Sequence, residues 1–340
     1  MSQFEIIHKE ADLYKQQILE FWEQCLPETP PGRFEWMNRG NPAGKTMWFF
    51  AIDKKSNDLA GTISLMPKEL ILDGRTIRVG ILGDLMVGKR YRVFGPALSL
   101  IKAAITNIKS LGLEFIYTIP NNESKKVLER IGFLDIDSLY YLVRPLRLQN
   151  YFEKYANPFF AKMITPFVEL GIRVFSRELF TSTKGFFEEF SKANELFDLL
   201  WEKIKTKQIG IIGEHSSEYI NWRYFQNPLY KFKALTYKEH KEGLLLGYVF
   251  YTIYDSKLEI FNITSVNKNC TIRLLKRLVC IANKENCNGI YITISKNNKW
   301  FNTLKSHLFF DTKYDMRLYF IGNQDIISNN WHFFGCDRNI

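Results

Sequence analysis

The sequence predicts an α/β (α+β) protein of two domains, each a mixed, mostly antiparallel sheet flanked by helices, joined by a helical segment. At 340 residues and 46% hydrophobic, the chain is long enough for two separate cores. It also repeats itself. "FEWMNRGNPAG" and "INWRYFQNPLY" both read W-x4-N-P, with Trp36 and Trp222 lying 186 residues apart. Gly61 in "LAGTIS" and Gly247 in "LLGYVF" keep the same spacing. In each half a strand, a tight turn and a second strand follow, with Asp73-Gly74 and Asp255-Ser256 as the turns. The predicted units are residues 1–145, a helical linker 146–205, a second copy 206–322 and a C-terminal tail 323–340.

In the first copy, residues 3–8 read as a strand and Leu13 to Cys25 as an amphipathic helix. Strands follow near 47–53, 59–66, 68–72 and 76–87, then a helix from Ala97 to Ser110. "LEFIYTIP" is a strand, "ESKKVLERIGF" a short helix and "YYLVRPL" a closing strand. The second copy repeats the scheme with strands at 231–237, 244–253 and 257–266 and the helix "TIRLLKRLVCIANK". The strand "GIYITIS", the helix "KWFNTLKSHLFF" and the strand "MRLYFIG" complete it. Residues 146–205 read as mostly helical, with a strong period in "FEEFSKANELFDLLWEKI".

Composition narrows the function classes. A net charge of +10 is spread among 36 acidic residues without a run of five or more cations, which argues against nucleic-acid binding and suits phosphorylated small molecules. The five cysteines form no CxxC pair and stand at no metal-ligand spacing to a histidine, so no metal is expected and the thiols suit a reducing cytoplasm. The N-terminal residues carry no apolar core of a secretion signal. The apolar stretch 159–175 is broken by Lys162, Glu169 and Arg173, so no transmembrane segment is expected; a helix bridging the domains is the favoured reading, with a segment lying on a membrane surface as the alternative.

"GKRYRVFGPAL" places Lys89, Arg90 and Arg92 ahead of Gly95-Pro96-Ala97, at a predicted helix start. The first turn of a helix leaves backbone N–H groups unpaired and carries partial positive charge. Gly95 permits close approach of an anion, Pro96 suits the first helical position, and Arg92 and Lys89 supply rim charge. A plain loop with solvated cations is the competing reading.

The surrounding residues resemble the GNAT N-acyltransferase superfamily. Its R/Q-x-x-G-x-G/A loop after a strand ending in Val is matched by Arg92-Val93-Phe94-Gly95-Pro96-Ala97 after Val87. "TIPNNESKKVLERIGF" resembles the later family segment at Asn121, Ser124, Gly132 and Phe133. The resemblance spans 3–145 and 208–322 and implies acyl-CoA as co-substrate. Backbone groups of Leu85, Met86 and Val87 would pair with the pantetheine arm, and the amides of Val93 to Ala97 would hold the pyrophosphate. The tyrosine that often protonates the departing thiolate is replaced by Leu128, with Tyr117 and Ser124 as nearby alternatives. The second copy, "NKNCTIRLLKRL", lacks the loop.

For the chemistry, Asp84 is the candidate general base, with a turn or bulge acid as its plain reading, and the Met86 or Val87 N–H is the candidate donor to the thioester oxygen. Trp36, Arg39, Trp222, Arg223 and Tyr224 either shape an acceptor pocket or anchor the core. Of the histidines, His215 alone stands close to a repeat segment. Tandem proteins of this superfamily associated with surface polysaccharides imply a nucleotide-linked amino sugar as the amine acceptor. The competing functions are an aminoacyl-tRNA-dependent transferase and a non-catalytic CoA-binding protein.

Overall fold

The structure, a computed structural model, describes residues 3–147, 184–327 and 329–338. The first half contains β1 (Phe4–Lys9), α1 (Lys15–Cys25), α2 (Gly32–Asn38), β2 (Met47–Asp53), β3 (Leu59–Leu72) and β4 (Arg75–Val87). It continues through α3 (Pro96–Thr106), β5 (Phe115–Thr118), α4 (Asn122–Ile131) and β6 (Leu134–Pro145). The second half contains β7 (Phe186–Phe190), α5 (Glu195–Lys205), β8 (Ile211–Gly213), β9 (Lys233–Lys238) and β10 (Leu245–Tyr254). Then come β11 (Lys257–Ser265), α6 (Lys268–Lys284), β12 (Gly289–Ser295), α7 (Phe301–Ser306) and β13 (Phe310–Gly322).

Local chemistry sets these boundaries. Asp73-Gly74 and Asp255-Ser256 all have positive φ, between 46° and 81°, the left-handed pair that lets a two-residue turn follow the twist of its strands. The side chains of Asn121, Asn194 and Asn267 each accept a backbone N–H in the first turn of α4, α5 and α6. Asn194 explains why the periodic stretch 186–205 is not one helix. The helix starts only at Glu195, while Phe186–Phe190 is an edge strand paired with β9. Residues 148–183, which include the predicted bridging helix at 159–175, lie outside the described residues. Among the described residues no helix is long and apolar enough to cross a membrane.

β3 is one strand where two were expected, although Pro67 lies inside it. β2 pairs with β3 as far as Leu65, and β8 takes up the same edge from Leu70. Pro67 falls in the gap between them, so its missing N–H breaks no ladder bond. Its carbonyl there accepts Asn41 Nδ2 at 2.8 Å.

The described strands form one sheet in the order β1-β2-β3-β4-β5-β13-β6-β12-β11-β10-β9-β7, with β8 pairing β3 off this path. β4·β5 and β11·β12 are parallel and the other pairs antiparallel. The halves exchange their last strands. β6 leaves β5 and pairs with β12, while β13 crosses back to lie between β5 and β6. Backbone bonds therefore join the halves into one continuous sheet.

The repeated residues fall in matching places. A Cβ on Gly61 would lie 2.8 Å from the Met86 carbonyl, and one on Gly247 would lie 2.9 Å from the Thr264 carbonyl. Both glycines let a helix, α3 or α6, press its leucine against the sheet at a close strand crossing. Trp36 and Trp222 meet each other between the halves, with ring centroids 4.8 Å apart. The Trp36 Nε1–H donates to the Trp222 carbonyl at 2.8 Å, and the Trp222 Nε1–H donates to the Trp36 carbonyl at 2.9 Å. Asn41 and Asn227 accept backbone N–H groups two or three residues on, as turn formers.

The segment 323–340, expected to be a tail, instead carries Trp331, Phe333, Phe334 and Cys336, all buried. β11 and β12 pair only from Lys257 to Ile260 and Gly289 to Ile292, and this C-terminal segment fills the space where they part. Ser295 N–H donates to the Phe333 carbonyl at 2.9 Å, and Ile294 bridges to Phe334.

Candidate functional site

β4 and β5 part in the same way, but nothing among the described residues fills the gap. They pair only at Gly80–Ile81 with Ile116–Tyr117, although β4 runs on to Val87. Thr118 Oγ1 donates to the Leu82 carbonyl at 2.9 Å and ends the contact. Beyond it opens a cleft of about 700 Å³, walled by Leu82–Val87 on one side and by α4 with its preceding loop on the other. The start of α3 closes one end, and Gln24, Cys25, Leu26 and Arg33 come from the helices ahead of β2.

Leu85, Met86, Val87, Arg92, Gly95, Pro96, Ala97, Asn121 and Ser124 all line this cleft. Val93 and Phe94 belong to the 3-10 turn Lys89–Phe94 that leads into α3. Gly95 has φ 74°, a left-handed backbone that favours glycine, and a Cβ built there meets nothing within 4 Å, so the position faces open space. Pro96 occupies the first turn of α3, as expected. Of the three loop cations only Arg92 faces the cleft. Lys89 and Arg90 line a neighbouring hollow, where Arg90 is held by Asp58 at 2.6 Å. Asn121 is engaged as the α4 cap, accepting from the Ser124 N–H at 2.9 Å.

β4 carries a bulge at its centre. Thr62 opposes Met86 and Ser64 opposes Gly83, so Asp84 and Leu85 together face Ile63. Asp84 takes φ 48°, a left-handed conformation that costs about 1 kcal/mol for a residue with a side chain. Past the bulge the Gly88 N–H donates to the Ala60 carbonyl at 2.9 Å. By strand alternation the Met86 amide then faces β3 and the Val87 amide faces the cleft. Met86 is thus corrected as the candidate oxyanion donor, since its amide faces β3, and of the two candidates the Val87 amide is the one turned to the cleft.

Asp84 is also corrected as a general base. Its Oδ1 accepts from Arg33 at 2.8 Å and from Trp22 Nε1 at 3.1 Å, and its Oδ2 accepts from Ser64 Oγ at 2.7 Å. The Arg33 and Asp84 side chains are only 4% and 1% exposed. Both carboxylate oxygens are engaged and the side chain is almost wholly enclosed, an arrangement that suits a structural clamp and not a base open to an arriving amine. Arg33, Trp22 and Ser64 carry no motif, so nothing local in the sequence identifies them.

Leu128 lies buried against the cleft. Tyr117 does not face it. Its hydroxyl donates to the Asp337 carbonyl in the core, where burial pushes the phenol well above its ordinary range. The expected acceptor residues are also drawn away. Trp36 and Trp222 cover each other, Tyr224 stacks on Phe250 at 3.9 Å, and Arg223 donates to the Cys336 and Arg338 carbonyls. Arg39 is exposed and paired with Asp12 and Glu35. These five hold elements together and form no pocket wall of the cleft.

His215 is buried, with Nδ1 at 3.4 Å from the Tyr248 hydroxyl and Nε2 at 3.5 Å from Asn262 Nδ2. Burial pushes its pKa down to about 4. The fold favours the neutral ring, so its stabilisation is whole above the ordinary value near 6.5 and is lost as pH falls toward about 4. The loss amounts to about 3 kcal/mol. Urea unfolding across this window should show the fall, and His215→Gln should flatten it. An unchanged slope in that variant would exclude His215 as the source.

Residues 8–133, the part of the chain that builds the cleft, match the family model described as Acetyltransferase (GNAT) family. No curated protein matches the chain. Among solved structures, a GCN5-related N-acetyltransferase from Anabaena variabilis is 13% identical with TM-score 0.66, covering 93% of this chain and 72% of its own. A probable N-acyltransferase from Enterococcus faecalis is 12% identical with TM-score 0.68, over 94% and 72%. The N-myristoyltransferase of Saccharomyces cerevisiae, solved with bound myristoyl-CoA, is 12% identical with TM-score 0.60, over 98% and 85%. At such identities the likeness is one of fold.

Proposed function

We propose that the chain is an acyl-CoA-dependent N-acyltransferase whose first half holds the acyl-CoA. One observation carries this reading: β4 past Leu82, an edge that pairs with no strand among the described residues, converges in one cleft with the glycine-led start of α3. Such an edge can pair with an extended pantetheine arm as with an added strand. The amides at the start of α3, with Arg92 beside them, suit a pyrophosphate. In the reaction the acceptor amine forms a bond to the acyl carbon, the carbon–sulfur bond breaks, and the amine's proton passes by way of solvent to the released thiolate. Charge gathers on the carbonyl oxygen, where the cleft-facing Val87 amide supplies a hydrogen bond.

The acceptor in this reading is the amine of a nucleotide-linked amino sugar. The net charge of +10 supports it, since both substrates would carry diphosphates. Residues 1–145 and 206–322 are read as two copies of one domain joined by 146–205. The reciprocal Trp36–Trp222 pair and the matched glycines support the duplication. A cytoplasmic setting is supported by five cysteines free of disulfides.

The test is release of free thiol from a series of acyl-CoAs by the full chain, with and without amino-sugar nucleotides. Release that requires both supports the whole reading, and release with other amines removes the sugar alone. Leu128 at a wall position that offers no proton donor favours one second reading, a CoA-binding protein without turnover. Calorimetric CoA binding with no release under any condition would establish it. Salt-sensitive tRNA binding without CoA binding would replace both.

A further inference from the structure

The geometry points to Asp84 as a positioning residue, whose clamp by Trp22, Arg33 and Ser64 holds the β4 bulge and so decides which backbone amides face the cleft. The inference rests on the acyl-CoA reading. Along a strand the amides alternate between its two edges, so one inserted residue reverses the edge that every later amide faces. The bulge puts Asp84 and Leu85 opposite Ile63, and beyond it Val87 presents its amide to the cleft. Without the extra residue Met86 would take that place and Val87 would turn to β3.

Nothing in the backbone alone favours the bulge, because Asp84 must adopt a left-handed φ of 48°. Side chains from three elements hold it there: Trp22 of α1, Arg33 of α2 and Ser64 of β3 grip the carboxylate. Thr62 Oγ1 also donates to the Asp84 carbonyl at 3.2 Å. The ion pair is almost wholly enclosed although both of its residues border the cleft. A clamp of this kind sets the direction of the strand that follows it.

The experiment uses the full chain, acetyl-CoA labelled with 13C at the carbonyl, isotope-edited infrared spectra and CoA calorimetry. The native protein should lower the carbonyl band relative to free acetyl-CoA. Asp84→Asn should return the band toward the free value, and Ser64→Ala should do so in part. CoA should still bind both variants, because the grip at Gly95 is elsewhere in the cleft, with affinity lowered as β4 no longer presents the same amides to the pantetheine arm. Loss of a general base would leave the band of the bound thioester where it was. An unshifted band in both variants with CoA still bound therefore overturns the positioning role. If Asp84→Asn does not fold, Ser64→Ala decides alone. Native protein that binds CoA without lowering the band overturns this inference and spares the acyl-CoA reading; native protein that binds no CoA overturns both.

Discussion

Gly95→Asp is expected to abolish CoA binding by the full chain while leaving it folded. The position has φ 74°, which aspartate tolerates at a cost of about 1 kcal/mol, and a new Cβ meets no atom within 4 Å. The folded state therefore has room for the side chain. The cleft has no room for the charge. A carboxylate at the start of α3 would stand where the pyrophosphate is proposed to lie, and like charges so placed cost several kcal/mol. Each 1.4 kcal/mol is tenfold in affinity, so the loss should be about 100-fold or more. Gly95→Asn, of the same size and backbone tolerance, separates charge from bulk and should lose only about tenfold. Calorimetry on the three proteins reads both numbers. If Gly95→Asp binds CoA as the native chain does, the ligand does not lie at this helix start.

The largest stability effect is expected at the other end of the chain. Lys68 Nζ donates to Asp337 Oδ1 at 2.5 Å, with side chains 3% and 4% exposed. The pair ties the C-terminal segment to β3 in the core between the halves. Burial alone would pull the Lys68 ammonium down, but Asp337 and the tyrosines Tyr117 and Tyr219 outweigh it and hold it well above its ordinary value. A raised lysine contributes fully at every pH below the unfolded value near 10.4, so the bond should be insensitive to pH through the neutral range. Asp337→Ala leaves a buried ammonium without its partner and should cost about 3–5 kcal/mol in urea unfolding. Lys68→Met combined with Asp337→Leu removes both charges and should recover most of that loss. A single variant no less stable than the native chain would show that the C-terminal segment does not depend on this pair.

The residues legible in the sequence share one property, that their reason is local. The hairpin turns at Asp73-Gly74 and Asp255-Ser256 follow from which residues accept positive φ. The helix start at Gly95-Pro96 follows from unpaired N–H groups in the first turn. Even the repeat of Trp36 and Trp222 is visible as a spacing, although not that the two rings meet.

By itself, then, the sequence determined much of the element order in each half and the cationic loop with its glycine at a helix start. Tertiary structure decided what those features face. It turned Arg92 into the cleft and Arg90 onto Asp58, and it buried Arg223 and Tyr224 in the core. It exchanged β6 and β13, and among the described residues it left the first strand splay open while the C-terminal segment filled the second. The physical reason is distance along the chain. Arg33 and Asp84 are 51 residues apart and Lys68 and Asp337 269 apart. Each pair closes only when separate elements pack, so no local pattern records it. The bulge at Asp84 belongs to the same class, because the side chains that hold it come from α1, α2 and β3.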